Sequence, residues 1–216
     1  MKKVLILAMS SGSLIERRLG ILDSYYKLLT DYPDIDLVFY SDDEDAYTIK
    51  VNANFSYNYS DNEIKTIAVF ENIKNDYHNK YDWFFFVDDD TFVNIPLLNN
   101  IVYTFDEKYI YGRDIKGDYK IRPDLSYASG GAGFLISNKI IHKFFNMADY
   151  GTGYSDVNVG LNAERQGVAY KNDTMFHPAH PFEYYGDPSS VDLLYNLTYH
   201  YIDPKMMKIL TDLSIK

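Results

Sequence analysis

The alternation of apolar and polar segments along the chain predicts alternating strands and helices. Short apolar runs predict strands at Lys3 to Ala8, Ile35 to Tyr40, Trp83 to Val87 and Lys108 to Gly112. Helical spacing of apolar residues predicts helices from Ser13 to about Thr30, from Asp61 or Asn62 to about Tyr77, and from Pro96 to about Phe105. This alternation is typical of an α/β sandwich around a mainly parallel sheet.

The first two predicted helices should each bury one apolar face. The inward residues are expected to be Leu14, Leu19, Leu22, Tyr26 and Leu29 in the first helix, and Ile64, Ile67, Ala68 and Ile73 in the second. The polar, Tyr- and Asn-rich stretch 52–62 predicts a loop. Because no stretch has the composition of a linker, we expect one domain over residues 1–216.

The most informative segment joins an apolar strand to three acidic residues. The run from Trp83 to Val87 is typical of a strand buried on both faces, and Asp88, Asp89 and Asp90 follow it directly. In open α/β sheets, ligands bind beyond the carboxyl ends of the strands. Adjacent carboxylates at that place repel one another unless a cation lies between them. The segment therefore indicates a site for a divalent metal held by a phosphate, with a solvated acidic turn as the alternative.

A second informative segment is rich in small residues. Gly130, Gly131 and Ala132 let a ligand approach the backbone closely. The glycine spacing matches neither a dinucleotide-binding fingerprint nor a Walker loop. Both the wall of a binding site and a tight structural turn fit the segment. The apolar run from Phe134 predicts a further strand, with Ser137 as the cap of the helix that follows.

A third segment places an acidic residue at the start of a helix. Ser155 is a candidate N-cap of a helix that we expect to end near Gln166, with Gly167 as its C-cap. Asp156 then lies in the first turn, where its charge stabilises the helix dipole. Simple helix stabilisation and a role in chemistry therefore both fit Asp156.

Three histidines are candidate metal ligands. His177 and His180 lie in an extended stretch with prolines. His200 lies in a predicted last strand, before a C-terminal helix that Asp203 would cap. A neutral imidazole beside carboxylates can complete the coordination of Mn²⁺. Sequence spacing does not choose among the three.

Composition and charge exclude several classes of protein. The net charge of −10 argues against a nucleic-acid partner and against anionic membrane surfaces. The lack of cysteine excludes disulfides and thiolate metal sites, and it fits a reducing compartment. The apolar run from Val4 to Met9 is too short for a signal peptide or a membrane span. We therefore expect a cytoplasmic protein without a membrane-spanning segment.

Taken in order, these segments resemble the Fringe-type and mucin-core β1,3-galactosyltransferase family of inverting glycosyltransferases, which have a GT-A fold. The resemblance runs from about Ile35 to the C-terminus. It is carried by the order and spacing of Lys65-Thr66, Trp83 to Val93, Tyr109 to Arg113, Ala128 to Phe134, Asp156 to Gly160, Phe176-His177-Pro178 and Tyr199 to Pro204. It implies a nucleotide-binding half at about 1–95 and an acceptor-binding half at about 96–216. It also implies transfer of a hexose or N-acetylhexosamine from a UDP-sugar to a glycan hydroxyl, with a β1,3-type linkage.

The resemblance implies roles for individual residues. Asp90 matches the last acid of the family's DxD motif and would bind Mn²⁺, or Mg²⁺, carrying the UDP diphosphate. Asp88 would lie beside the metal and near the ribose or sugar of the donor. His200 would be a metal ligand, and Asp156 matches the catalytic base. Further contacts to the donor would come from Ser10, Arg17, Lys65, Asp89, Gly130, Gly131 and Ala132.

The sequence also departs from the family pattern. The family usually has two acidic residues before the valine, whereas this chain has Ser155-Asp156. The family's disulfides and luminal membrane anchor are missing, which favours a cytoplasmic relative. Two other functions stay open, namely a metal-dependent phosphohydrolase that uses the acid triplet and a non-catalytic carbohydrate-binding module. In the second, some of the 22 tyrosines would stack on sugars.

Overall fold

A seven-stranded sheet forms the centre of the molecule. The structure is a computed structural model, and it describes residues 2–51, 61–117, 122–185, 193 and 195–216. The strands are β1 (Val4–Met9), β2 (Ile35–Ser41), β3 (Thr48–Lys50), β4 (Trp83–Asp88), β5 (Phe92–Val93), β6 (Ile110–Gly112), β7 (Asp114–Lys116), β8 (Ser126–Ala128), β9 (Phe134–Ser137), β10 (Tyr170–Asn172), β11 (Phe176–His177) and β12 (Thr198–Tyr199). The helices are α1 (Ile15–Leu22), α2 (Asn62–Asn72), α3 (Ile95–Ile101), α4 (Asn138–Ile141), α5 (Ser155–Arg165), α6 (Pro181–Tyr185) and α7 (Pro204–Ser214).

The central sheet has the strand order β10-β6-β9-β4-β1-β2-β3. The strands β4, β1, β2 and β3 are parallel neighbours, as are β10 and β6, while β9 runs antiparallel to both β4 and β6. The predicted α/β architecture with a mainly parallel sheet is therefore confirmed. In the register of β1 and β4, Met9 lies opposite Asp88, so both strands end at the same edge of the sheet.

Apolar layers cover both faces of the central strands. Successive side chains of β4 point to opposite faces, so that Trp83 and Phe85 enter one core cluster and Phe84 and Phe86 enter the other. All four are almost fully buried, and each contributes roughly 1.5–3 kcal/mol by its removal from water. This double burial is the reason that the strand is an uninterrupted apolar run.

The predicted long first helix is wrong. The segment is instead a 3-10 turn at Gly12–Leu14, α1, and a second 3-10 stretch at Tyr25–Asp31. The helix ends where the hydroxyl of Ser24 donates to the carbonyl of Gly20 at 2.6 Å, because such a bond competes with the helical ladder. The side chain of Ser11 caps the first 3-10 turn by accepting from the N–H of Ser13.

The predicted inward faces of the first two helices also need correction. In the first, Leu14 and Leu19 are exposed, whereas Arg18 is buried. The second helix consists of α2 and a single π turn that continues it to Tyr77, and Ile64 is exposed on it. Its buried side includes the polar residues Glu63, Lys65 and Thr66. The predicted loop at residues 52–62 lies almost entirely outside the described residues.

The remaining helix ends divide between confirmed and wrong predictions. The carboxylate of Asp203 caps α7 by accepting from the backbone N–H of Met206 at 2.8 Å, as predicted. Ser155 is the first residue of α5 rather than its N-cap, which is Tyr154. Gly167 follows α5 with a φ of +60°, as expected at a helix C-terminus.

Two further helix starts follow β5 and β9. Asn94 caps α3, since its side chain accepts from the N–H of Leu97 at 3.1 Å, and a 3-10 turn extends the helix to Thr104. Ser137 occupies the N-cap of α4 as predicted, but its hydroxyl donates to the carbonyl of Glu107 instead. Among the described helices, none combines the length and the apolar character that crossing a bilayer requires. The cytoplasmic location stays a prediction.

Candidate active site

Three segments meet where β4 and β1 end. Thr91 follows the acid triplet, and its hydroxyl donates to the carbonyl of Gly131 at 2.8 Å. The N–H of Ile202 donates to the carbonyl of Asp90 at 2.9 Å. The acid turn, the glycine segment and the segment after β12 are therefore tied together by direct hydrogen bonds.

Two carboxylates and one imidazole form a group that can hold a metal ion. One ligand atom each from Asp88, Asp90 and His200 lies within 4.8 Å of the other two. The Nε2 atom of His200 is 3.2 Å from Asp90 Oδ1 and 3.7 Å from Asp88 Oδ2. Its Nδ1 atom is 3.3 Å from the carbonyl of Pro178, and a proton donated there leaves the Nε2 lone pair for a metal. Such a mixed oxygen and nitrogen donor set fits Mn²⁺.

Burial and neighbouring charges shift the pKa values of the three acids. Burial raises the pKa of Asp88 to about 7, with a further contribution from the neighbouring carboxylates, and burial raises the pKa of Asp89 to about 6. Burial acts in the same sense on Asp90, but its hydrogen bond with His200 and the charge of Arg17 outweigh burial and lower its pKa. A divalent cation would relieve the repulsion among these acids.

Asp89 turns away from the metal group. Its carboxylate accepts from the hydroxyl of Ser10 at 2.7 Å and from Nη1 of Arg17 at 3.2 Å. The same Arg17 nitrogen is 2.9 Å from Asp90 Oδ2. Asp89 thus anchors an arginine and a serine beside the acids that face the metal position.

The other two candidate histidines have different partners. Nε2 of His177 lies 2.6 Å from Oδ1 of Asn196, and its ring stacks on Tyr199 at 4.9 Å between centroids. Nδ1 of His180 accepts from the N–H of Phe182 at 3.2 Å. Within the described residues, the group that can hold a metal ion includes His200 and neither of these two.

Asp156 is fixed at the start of α5 by two backbone bonds. Its Oδ2 accepts from the N–H of Gly130 at 3.0 Å, and its Oδ1 accepts from the N–H of Val157 at 2.9 Å. Burial raises the pKa of Asp156, although the two bonds oppose the shift. A fixed carboxylate with a raised pKa suits a general base.

Two adjoining cavities meet at the metal group. The first is lined by the predicted donor contacts Ser10, Arg17, Lys65 and Asp89, among others. The second is lined by residues that include Tyr127, Ser129, Gly130, Gly131, Tyr154 and Asp156. Both cavities share Met9, Asn62, Asp88, His200 and Tyr201. A ligand that spans both cavities would therefore pass directly over the metal position.

The glycine segment forms a wall of the second cavity, and a side chain at Gly130 or Gly131 would crowd a neighbouring residue of the site. A Cβ on Gly131 would lie 2.0 Å from Cε1 of His200, and a Cβ on Gly130 would lie 3.3 Å from Cβ of Asp156. Ala132 lies behind the wall, where its carbonyl accepts from the hydroxyl of Thr198 at 2.6 Å. It is not among the described residues that line the two cavities.

Sequence reasoning missed Glu63, a carboxylate that is only 1% exposed. It accepts from the N–H groups of Tyr150 at 2.9 Å and Gly153 at 2.7 Å, and from the hydroxyl of Thr152 at 3.0 Å. It therefore holds the loop that leads into α5. A single acid in an amphipathic helix gives no signal of such a role. Lys65, two residues on, donates to the carbonyl of Ser10 at 3.1 Å.

Comparison with protein families and curated sequences identifies relatives of the chain. A family model described as "Fringe-like" matches residues 26–177. A beta-1,3-glucosyltransferase of Mus musculus is 30% identical over 133 residues, with the match covering 56% of this chain and 25% of that protein. A glycoprotein-N-acetylgalactosamine 3-beta-galactosyltransferase 1 of Xenopus laevis is 31% identical over 131 residues, with the match covering 54% of this chain and 35% of that protein. The chain thus spans about a quarter to a third of the length of these relatives.

Solved structures with a similar fold are more distant in sequence. A glycosyltransferase involved in glycosylation of the major capsid of PBCV-1 has a TM-score of 0.56 at 13% identity, covering 98% of this chain and 99% of that chain. The galactosyltransferase LgtC, solved with donor and acceptor sugar analogs, has a TM-score of 0.53 at 14% identity, covering 91% and 86%. The predicted GT-A fold is confirmed.

Proposed function

Since the chain belongs to the Fringe-like family, we propose that it is an inverting, metal-dependent glycosyltransferase. It would transfer a hexose or N-acetylhexosamine from a UDP-sugar to a glycan hydroxyl. The observation that carries the proposal is the meeting of the two cavities at Asp88, Asp90 and His200, with Asp156 in the second cavity. The names of the two relatives support a β1,3-type linkage.

The first cavity has the charges that a nucleotide diphosphate requires. The cationic side chains of Arg17 and Lys65 line it, together with the acid triplet and His200. A bound divalent cation would neutralise charge on the diphosphate as it leaves. Asp88, Asp90 and His200 would hold that cation, and Mn²⁺ or Mg²⁺ fits their donor atoms.

Asp156 has the position and environment of the catalytic base. Inversion requires a single displacement at the anomeric carbon of the donor. In that step Asp156 would take the proton of the acceptor hydroxyl, while the oxygen of that hydroxyl forms the new bond to the anomeric carbon. The bond from that carbon to the diphosphate breaks, and its electron pair leaves with UDP. The backbone bonds from Gly130 and Val157 hold the carboxylate in place for this transfer.

The two cavities support the proposed division of labour along the chain. Residues before position 95 supply most of the first cavity, and residues after it supply most of the second. We therefore propose that the nucleotide-binding half is about 1–95 and the acceptor-binding half about 96–216. His200 and Tyr201 come from the second half but line both cavities.

Substitution of Asp156 tests the proposal. In Asp156→Asn, turnover of UDP-glucose and UDP-galactose should fall by about 10²-fold or more, since the base is lost. Binding of UDP in the presence of Mn²⁺ should stay within about twofold of wild type, a factor that corresponds to less than 0.5 kcal/mol. Asp212→Asn, at an exposed position of α7, is the matched control and should keep full turnover. Normal turnover in Asp156→Asn would contradict the assignment.

Two other hypotheses predict distinct outcomes. A metal-dependent phosphohydrolase would release phosphate from p-nitrophenyl phosphate without transferring sugar. A carbohydrate-binding module would bind glycans and show no affinity for UDP with or without Mn²⁺.

A further inference from the structure

Tyr201 has a backbone conformation that is rare for its residue type. Its φ is +61°, and it is the one non-glycine residue with positive φ in the part of the chain that the structure describes. A bulky side chain makes this region unfavourable, so the surrounding structure must impose it. The N–H of the following Ile202 is bound to the carbonyl of Asp90, and the preceding His200 is bound to the carbonyl of Pro178.

The conformation places an aromatic ring at the junction of the two cavities. One face of the Tyr201 ring stacks on the imidazole of His200, with 3.7 Å between centroids and 27° between planes. The side chain is nevertheless 60% exposed, and it lines both cavities. An unfavourable backbone that presents an exposed ring beside a candidate metal ligand points to a ligand contact rather than to stability.

The second cavity has the chemistry of a site for a neutral, hydroxylated ligand. Among the described residues that line it there is neither lysine nor arginine, in contrast to Arg17 and Lys65 in the first cavity. Apart from Asp88 and His200 of the shared metal group, its acidic or basic lining is the carboxylate of Asp156, which disfavours an anionic ligand. Tyr154, at 39% exposed, and Tyr127 add aromatic side chains to the same cavity. Aromatic faces and hydroxyl partners together suit a pyranose ring.

We propose that Tyr201 is the platform on which the acceptor sugar stacks, with its reacting hydroxyl directed toward Asp156. The proposal rests on the proposed glycosyltransferase function and adds the residue that positions the acceptor. The open face of the ring would pack against the C–H face of the sugar.

Saturation-transfer NMR on the full chain tests this platform directly. The probes are methyl glycosides of glucose, galactose, N-acetylglucosamine and N-acetylgalactosamine, each added to protein with Mn²⁺ and UDP. At least one glycoside should give a transfer signal with wild type. In Tyr201→Ala its dissociation constant should rise by about tenfold, the upper end of what one aromatic face contributes.

Three further variants separate ring contact from backbone effects. Tyr201→Phe keeps the ring and should bind the glycoside like wild type. Tyr201→Asn loses the ring but tolerates positive φ, so it should be at least as stable as wild type and still bind the glycoside poorly. Tyr103→Ala removes a tyrosine that is 50% exposed and is not among the residues lining either cavity, and it should change nothing.

The outcomes distinguish this proposal from the proposed function. An unchanged glycoside affinity in both Tyr201→Ala and Tyr201→Asn would overturn the platform while leaving the transferase intact. So would a parallel loss of Mn²⁺-dependent UDP affinity in Tyr201→Asn, since the ring would then serve the nucleotide. Failure of wild type to bind UDP would overturn the proposed function. Glycoside binding that depends on Tyr201 would then still support stacking of a sugar on the ring, but would overturn its role in positioning an acceptor.

Discussion

Substitution of Gly130 or Gly131 by alanine tests the metal site without changing a charge or replacing a candidate metal-ligating residue. In Gly131→Ala, the new Cβ would lie 2.0 Å from Cε1 and 2.2 Å from Nδ1 of His200, whereas ordinary contact begins at 3.4 Å. The imidazole must therefore move by about 1.4 Å, and metal–ligand distances tolerate only about 0.2 Å. We expect the substitution to remove His200 from the metal group.

The expected loss of Mn²⁺ affinity follows from the effects of smaller changes at metal sites. Disturbing a hydrogen-bonded partner of a ligand costs about 10–100-fold in metal affinity, so loss of the ligand should cost at least as much. That range corresponds to about 1.4–2.7 kcal/mol. In Gly130→Ala the nearest atom is Cβ of Asp156 at 3.3 Å, which a shift of a few tenths of an ångström relieves. This variant should keep metal affinity within about threefold, equivalent to about 0.7 kcal/mol, and lose turnover instead.

The assay is titration of Mn²⁺ followed by its electron paramagnetic resonance signal, together with calorimetry of UDP binding. Thermal unfolding of both variants controls for the fold. Equal Mn²⁺ affinity in wild type and Gly131→Ala, with the fold intact, would refute the assignment of His200. Loss of metal binding in Gly130→Ala alone would refute the assignment of the two glycines to different neighbours.

Three further predictions follow from the same geometry. Asp90→Asn should weaken Mn²⁺-dependent UDP binding by at least about tenfold because a metal ligand is lost, and calorimetry giving unchanged affinity would count against it. Because burial raises the pKa of Asp156 and the base must be ionised, kcat at saturating Mn²⁺ and donor should fall as pH decreases, starting above the value of about 3.9 typical of aspartate; a flat profile down to pH of about 4 would contradict this. Glu63→Gln should lower the free energy of unfolding in urea by about 1–3 kcal/mol, since an N–H of the loop before α5 loses its acceptor. The exposed Glu71→Gln should have no effect. Equal stability of the two variants would argue against the role of Glu63 in holding that loop.

Local sequence predicted the parts of the fold that depend on burial of whole segments. The run from Trp83 to Val87 indicated a central strand because that strand is covered on both faces. The acids after it indicated a site because β4 ends at the carboxyl edge of the sheet, beside β1. The ordered motifs indicated the Fringe-like family and its GT-A fold, and both are confirmed.

Features that depend on distant pairing could not be predicted from local spacing. The family resemblance indicated His200, and its position follows from β12, which pairs with both β11 and β5 and so brings the chain back to the acid turn. In that pairing His177 lies opposite Tyr199, and its imidazole bonds to Asn196 instead. Sequence spacing between the histidines contains no trace of this arrangement.

The predictions of which helix faces are buried were wrong for a related reason. Glu63 and Lys65 are buried because one holds the loop before α5 and the other bonds to the carbonyl of Ser10. The apolar Ile64 between them is pushed outward. A pattern that assigns apolar residues to the inside cannot anticipate a helix whose buried side serves a polar site.

Calorimetric titration of UDP, first with Mn²⁺ and then with EDTA, is the most direct test of the central claim. The account predicts binding in Mn²⁺ that EDTA abolishes, since Asp88, Asp90 and His200 would hold the diphosphate only through the metal. No binding in either condition would contradict a nucleotide-sugar site and leave the acid triplet to another function.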